Sequence, residues 1–406
     1  MADRKRVMPY PKERILEDAA FSRELAPTRL LALLLPVWQV EVRATVTDGR
    51  PYELIERYIE RGIAEGALGT KEELAAFLAL DEPIVDRALR FLHAVGHVVE
   101  REGRLTLTEL GRRSQRDDRY YFVKREDRRK LYFDAFASRP LTRSYYDAGA
   151  VTLPPADEVM SLVADSGQPP FQMLCNPGGF RREALRELAN HTDRERYNLP
   201  VRIEQPESLQ EDLVYLPLYV VRAVDRRGAV RYLAYSQAGA EADPEFTELC
   251  EKTPGIREVL DIADLAVDPE RQESQVTEWC RRRGFEQVEP VRLDEGGWQV
   301  TLPAEAFGPK RIPHYRIGSF AVLSTCLLRI RCEDKELRER ALLERVGSYV
   351  TRRSGVTAAD LDGRVDRVAR QLELTADVPE VRRMAADAGE TKLAGRLDEL
   401  LAGPVE

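Results

Sequence analysis

The sequence predicts an α+β protein with several domains. Helical spacing and strand-like alternation both occur, in separate stretches of the chain rather than in strict succession. The chain has 406 residues, enough for two or three domains. Hydrophobic residues make up 43% of it and aromatic residues 7%, a composition typical of an ordinary soluble globular protein.

Charge and cysteine content exclude several classes of function. The net charge is −8, so the chain as a whole does not attract nucleic acid or anionic membranes, and any such contact requires a local patch. The five cysteines contain no Cys-x-x-Cys pair, which argues against a zinc ribbon or a disulfide scaffold. The longest apolar run, residues 30–38, is far short of the roughly 20 residues that span a bilayer. We therefore expect a cytoplasmic protein without membrane contact.

The first 50 residues are predicted to form an N-terminal helix and strand. Helical spacing covers residues 14–35, with a break at Pro27 and an end at Pro36. The stretch VWQVEVRATV, residues 37–46, alternates between apolar and polar positions, which predicts a strand.

Three helical patterns and a hairpin follow. Ile55, Ile59 and Ile63 are spaced four apart, and Thr70 with Glu73 forms a capping-box pattern before the second helix. A third helix begins near residue 83, and a hairpin turns at residues 102–103. This order, over residues 51–113, resembles the winged helix-turn-helix fold. We place the end of this module at residue 118.

The resemblance implies two possible roles. In DNA-binding members the third helix enters the major groove and the wing follows the phosphate backbone. Here that helix balances Glu82 and Asp86 against Arg87 and Arg90, whereas a base-reading helix usually carries more Arg, Lys, Asn or Gln. The pattern therefore favours sequence-tolerant contact with DNA, and it equally suits a winged helix that binds another protein.

A basic segment continues from the hairpin. Residues 112–130 contain nine basic and four acidic residues, interleaved with aromatic ones. Basic side chains neutralise phosphates and aromatic rings stack on unpaired bases. In the alternative, the segment is an amphipathic connector whose aromatic side chains enter the protein core while its charges face water. We assign residues 119–165 to this basic and aromatic connector. The candidate nucleic-acid-binding residues are Arg87, Arg90, Arg101, Arg104, Arg112, Arg113, Arg116, Arg119, Tyr120, Tyr121, Lys124, Arg125 and Arg128.

The rest of the chain divides into a mixed α+β domain, residues 166–332, and a helical region, residues 333–406. A β-hairpin is predicted around Asp225 to Gly228, and Asp294 precedes a further strand. That strand carries no lysine of the kind used in metal-assisted phosphodiester cleavage, and the phosphate-binding Gly-Lys-Ser pattern is missing. We therefore expect binding rather than catalysis, with no catalytic residue, metal or cofactor.

The leading hypothesis is a nucleic-acid-associated subunit or regulator of a multi-protein complex, for which bacterial defence or DNA maintenance would be a natural setting. DNA and other proteins are its expected partners, and a second copy of the chain is a further candidate. One alternative is an interaction scaffold that never meets nucleic acid. The other is a metal-dependent nuclease or hydrolase within residues 166–332.

Overall fold

A computed structural model describes residues 7–159, 170–175, 178–265, 268–308, 311–324, 326–353 and 355–402. The protein has the predicted α+β class. It divides into two compact units that are discontinuous in sequence, whereas the predicted domains are consecutive stretches. The first unit comprises residues 1–36, 152–175 and 215–406, and the second comprises residues 37–151 and 176–214.

The first half of the chain contains most of the second unit. In order, its elements are α1 (Lys12–Glu17), β1 (Ala26–Arg50), α2 (Leu54–Ala64), α3 (Lys71–Leu78), α4 (Glu82–Ala94), β2 (Val98–Arg101), β3 (Arg104–Leu107), α5 (Glu109–Arg116), β4 (Tyr120–Asp134), β5 (Phe171–Met173) and α6 (Glu183–Ala189).

The second half continues the alternation of strands and helices and ends in four consecutive helices. Its elements are β6 (Arg202–Val224), β7 (Val230–Ser236), α7 (Pro244–Lys252), α8 (Pro254–Leu265), α9 (Pro269–Arg281), β8 (Val291–Arg292), β9 (Trp298–Leu302), β10 (Phe320–Val322), β11 (Leu327–Cys332), α10 (Lys335–Arg352), α11 (Ala358–Gln371), α12 (Val378–Asp387) and α13 (Thr391–Ala402).

The long strand β1 corrects the prediction for the N-terminal residues. We predicted a helix over residues 14–35, but the helical part ends by Ser22 and the strand begins at Ala26. Residues 30–37 are all buried. A strand covered on both faces reads as a continuous apolar run, and such a run does not show the alternation that distinguishes a strand from a helix.

The module between β1 and β4 contains the predicted order of elements. Three helices are followed by the hairpin β2–β3, and the Thr70–Glu73 capping box is present at the start of α3. Its core gathers apolar side chains from every one of these elements, including Ile59, Leu74, Leu89 and Leu107. The short helices are therefore held by shared burial more than by their own helical propensity.

The predicted connector of residues 119–165 is also corrected. Its first part is β4, which pairs antiparallel with β1 from Tyr120 opposite Arg50 to Asp134 opposite Val37. Leu131 and Phe133 face the same core cluster as Val40. The high charge of this strand concealed it, because its other face alternates into solvent.

The first unit contains the largest apolar cluster in the described part of the chain. Strands β9 and β11 pair in parallel, and β10 pairs antiparallel with β11. Their buried side chains meet those of α9 to α13 in one cluster. The predicted hairpin around residues 225–228 is confirmed as β6–β7. Helix α8 was not predicted, and the predicted helical region of residues 333–406 ends in α12 and α13, which are separated at Gly389.

All five cysteines are free thiols, and only Cys175 is exposed. Burial raises the pKa of Cys250 and of Cys326 to about 12, so both remain protonated at neutral pH. Within the described ranges, no helix has the length and apolar character needed to cross a membrane.

Candidate nucleic-acid interface

Helix α4 occupies the position of the third helix in the module and is amphipathic. Pro83 lies in its first turn, where the missing N–H costs nothing, and Val85, Leu89 and Leu92 enter the core. The opposite stripe is exposed and carries Ile84 and Phe91, which are 42% and 41% exposed. The face available to a partner is therefore more apolar than the base-reading face that the resemblance implies for DNA-binding members.

The hairpin β2–β3 occupies the position that the resemblance gives to the wing, and its turn is tight. Arg101 pairs with Arg104 across the turn, where Glu102 and Gly103 both have positive φ angles of 53° and 75°. Both arginines are exposed. The Arg104 guanidinium donates to the carbonyl oxygen of Ala67 at 3.2 Å, which ties the wing to the loop before α3.

A groove of about 490 Å³ lies between the start of α3, helix α4 and the wing. Leu89, Val98 and Leu105 form its apolar lining. Its charged lining is mixed, with the basic residues Lys71 and Arg90 and the acidic residues Glu72, Asp86 and Glu100. A groove with this balance does not concentrate phosphate, so its chemistry suits a protein surface better than a nucleic-acid backbone.

A buried polar chain fixes the wing to the rest of the module. His97 and Glu60 are fully buried, and Nδ1 of His97 lies 2.5 Å from a carboxylate oxygen of Glu60. The hydroxyl of Tyr52 donates to the other carboxylate oxygen at 2.5 Å. The Nε2 of His97 faces the carbonyl oxygen of Tyr121, which only accepts, so this nitrogen carries a proton and donates it. This polar chain thus joins α2, the turn between α4 and β2, and β4.

The two candidate tyrosines do not lie at the surface. Tyr120 is 1% exposed and Tyr121 6% exposed. Tyr120 packs between the rings of Tyr52 and Phe91, with Arg50 over its face. Their predicted role in stacking on unpaired bases is therefore corrected, because both rings are part of the module's interior.

Most of the candidate cations have carboxylate partners within the second unit. Arg90 pairs with Asp86 at 2.9 Å and Arg119 with Glu195 at 3.0 Å, and six others lie within 4 Å of a carboxylate: Arg104, Arg112, Arg113, Arg116, Lys124 and Arg128. Three exposed candidates, Arg87, Arg101 and Arg125, have no ion-pair partner among the described residues.

The sequence did not single out two features of this surface. Lys130 is exposed and also without an ion-pair partner in the described part of the chain. It lies in the basic segment, opposite Glu41 of β1. The sequence alone does not distinguish it from the other basic residues of the segment, because its surroundings depend on the strand register. The stripe of Ile84, Arg87 and Phe91 could have been found from its spacing, since residues three and seven apart share a helix face.

Comparisons with known protein families, with curated proteins and with solved structures found no match to the chain. Among the described residues, no group of three or more His, Cys, Asp or Glu is placed to hold a metal ion.

Proposed function

We propose that residues 51–118 form a winged helix-turn-helix module and that, with β4, they bind the backbone of double-stranded nucleic acid without reading its sequence. One observation carries the proposal. Three exposed arginines without ion-pair partners in the described chain lie at three separate places, Arg87 on α4, Arg101 on the wing and Arg125 on β4. In this role the protein is a binding subunit of a larger nucleic-acid-associated complex.

The carboxylates beside the other candidates weaken such binding without preventing it. Ion pairs between exposed side chains contribute only about 0–1 kcal/mol each. A phosphate offers the same guanidinium a charged, bidentate acceptor and releases condensed counterions as well. Arginines such as Arg112 and Arg116 can therefore exchange a carboxylate for a phosphate at small cost.

The burial of the two tyrosines favours double-stranded over single-stranded nucleic acid as the ligand. Proteins that hold single strands rely on exposed aromatic rings that stack on bases. Tyr120 and Tyr121 cannot do so from the interior. Contact with phosphates alone suits a duplex, whose bases are already stacked.

The test is fluorescence anisotropy of a labelled duplex across a salt series. We expect dissociation constants of about 10⁻⁴ to 10⁻⁶ M that weaken steeply with salt. Combined substitution of Arg87, Arg101 and Arg125 by Glu should weaken binding at least about tenfold and lower the salt slope by about 2–3, since each phosphate contact adds about 0.9.

A matched control variant changes the charge by the same amount elsewhere. Arg227, Arg271 and Arg292 are exposed arginines of the first unit, and they also lack ion-pair partners among the described residues. Replacing these three by Glu should change duplex binding much less. Equal losses in the two variants, or no binding to the wild-type protein at low salt, would refute the proposal.

The exposed stripe on α4 favours a second candidate function, docking of a partner protein. Its two apolar side chains flank Arg87, so the partner would present an apolar face with a carboxylate opposite that arginine. A photo-cross-linking residue at position 91 should then give a specific product in the native host, and Arg87→Glu should abolish it. The control is the same residue at position 77, since Phe77 is 68% exposed on α3. Equal cross-linking from both positions would count against docking at the stripe.

A further inference from the structure

An arginine-rich cleft of about 450 Å³ lies within the first unit. One wall is the end of α9 and the turn after it, with Trp279, Arg282, Arg283 and Phe285. The facing wall is residues 311–316, and Ile330 of β11 contributes to the lining. The volume is within the range of pockets that bind small molecules, about 300–1,000 Å³.

The local sequence explains why these side chains meet. Helix α9 buries Val276, Trp279 and Cys280 against the core, so the arginines that follow are carried to the rim. The chain then reverses at Gly284, which has a φ of 78°, and the amide of Phe285 donates to the carbonyl of Cys280 at 3.1 Å. This reversal turns Arg282, Arg283 and Phe285 into one wall.

The charges of the cleft are only half compensated. Arg316 pairs with Glu13 at 2.6 Å, and Arg282 pairs with Glu278 at 2.6 Å. Arg283 and Arg311 have no carboxylate partner in the described chain and donate to backbone carbonyl oxygens, those of Trp279 at 3.3 Å and Glu305 at 2.6 Å. Two positive charges therefore remain available to an anion.

Arg283 shows the effect of this concentration of charge. Partial burial lowers the pKa of its guanidinium, and the neighbouring charges of Arg316 and Arg282 lower it further. An anion bound in the cleft would relieve this repulsion, and arginine is the side chain best suited to bind a phosphate through two parallel hydrogen bonds.

The same cleft presents flat and apolar surfaces. The guanidinium of Arg283 lies over the Trp279 ring, 4.1 Å from its centroid. The guanidinium is planar, and in this position over the ring it can also stack on an aromatic ring of a ligand. Phe285, Ile312 and Ile330 add apolar lining beside it. The cleft thus combines groups that bind a phosphate with groups that bind a planar ring.

We propose that this cleft binds a nucleoside phosphate, with Arg283 and Arg311 on the phosphate and the base stacked over the Arg283–Trp279 pair. The ligand is either a free nucleotide or the phosphorylated end of a nucleic-acid strand, since both present the same chemistry. The proposal does not depend on the duplex contact proposed for the other unit.

The test is isothermal titration calorimetry of the full chain with nucleoside monophosphates, ribose 5-phosphate and inorganic phosphate. We expect at least one nucleoside monophosphate to bind at least about tenfold more tightly than ribose 5-phosphate, because base stacking on an aromatic platform contributes about 1–3 kcal/mol. Equal affinity for nucleotide and inorganic phosphate, or no heat with any nucleotide, would overturn the proposal.

Three variants locate the site and separate its two functions. Combined Arg283→Gln and Arg311→Gln substitution should abolish nucleotide binding. Arg283→Lys keeps the charge but loses the flat guanidinium, so it should retain phosphate affinity while the preference for nucleotide over ribose 5-phosphate falls toward one. The matched control is Arg353→Gln, which removes a guanidinium stacked on Tyr349 elsewhere in the same unit. Unchanged nucleotide binding in the double variant, with its thermal unfolding also unchanged, would place any binding outside this cleft.

The two sources of the ligand are distinguished with a single-stranded oligonucleotide carrying either a 5′-phosphate or a 5′-hydroxyl. Tighter binding of the phosphorylated strand than of the mononucleotide, lost in the double variant, would assign the strand end. Tighter binding of the mononucleotide would assign the free nucleotide. Equal binding of both strands that is unchanged by the double variant would overturn the assignment to a strand end.

Discussion

His97→Ala is expected to destabilise the module between β1 and β4 by about 3–5 kcal/mol, because removal of one partner from a buried pair leaves the other partner uncompensated. Here the group left behind is the Glu60 carboxylate, which is fully buried and, among the described residues, keeps only the hydrogen bond from the Tyr52 hydroxyl. Tyr121 would also lose the donor to its carbonyl oxygen.

The measurement is amide hydrogen exchange of the whole chain, read in peptides from residues 54–134. Protection in α2, β2 and β4 should fall together in His97→Ala, since the polar chain connects all three. His93→Ala is the matched control, because His93 is exposed in the last turn of α4, four residues before His97. If the two variants exchange alike, the buried chain does not hold the module together.

Gly318→Ala is expected to lower the free energy of unfolding of the first unit by about 3–5 kcal/mol. Gly318 has a φ of 74°, where an L side chain is strained. A Cβ at this position would also lie 2.2 Å from the carbonyl oxygen of Gln371, at the end of α11. Since that oxygen belongs to the backbone, the helix end itself would have to move.

Gly389→Ala separates the strain of a positive φ from the clash with the carbonyl oxygen of Gln371. Gly389 has a φ of 75° and open space around it, so its substitution should cost only the conformational part, about 1–2 kcal/mol. Both variants can be followed by urea unfolding with tryptophan fluorescence, since Trp279 and Trp298 belong to the main core cluster of this unit. Equal costs for the two variants would mean that the contact with α11 relaxes freely.

Local signals predicted the elements that they encode. The Thr70–Glu73 pair identified the start of α3, and the Asp-Arg-Arg-Gly turn at residues 225–228 identified a hairpin, because both signals lie within a few residues of the structure that they form. The strand at residues 30–37 was missed for the opposite reason. Its identity depends on partners that cover both faces, and the partners are remote in sequence.

The candidate site was harder to predict than the fold. The basic segment was visible, but three of the carboxylates that pair with it, Glu41, Asp48 and Glu195, are brought near only by strand register and tertiary packing. The burial of Tyr120 depends in the same way on Tyr52 and Phe91. The cleft around Trp279 was not predicted at all, since Arg311 follows that residue by about thirty positions and has no motif to connect them.

The discontinuous division of the chain has a consequence for synthesis on the ribosome. Every residue of the second unit, which includes the module between β1 and β4, has been made once residue 214 is added. The first unit contains residues 1–36 and still needs α10 to α12, which supply much of its core. Because domains fold as their residues emerge, the module between β1 and β4 can reach its native packing while Glu13 and Phe21 still wait for their partners Arg316 and Phe320 to be translated.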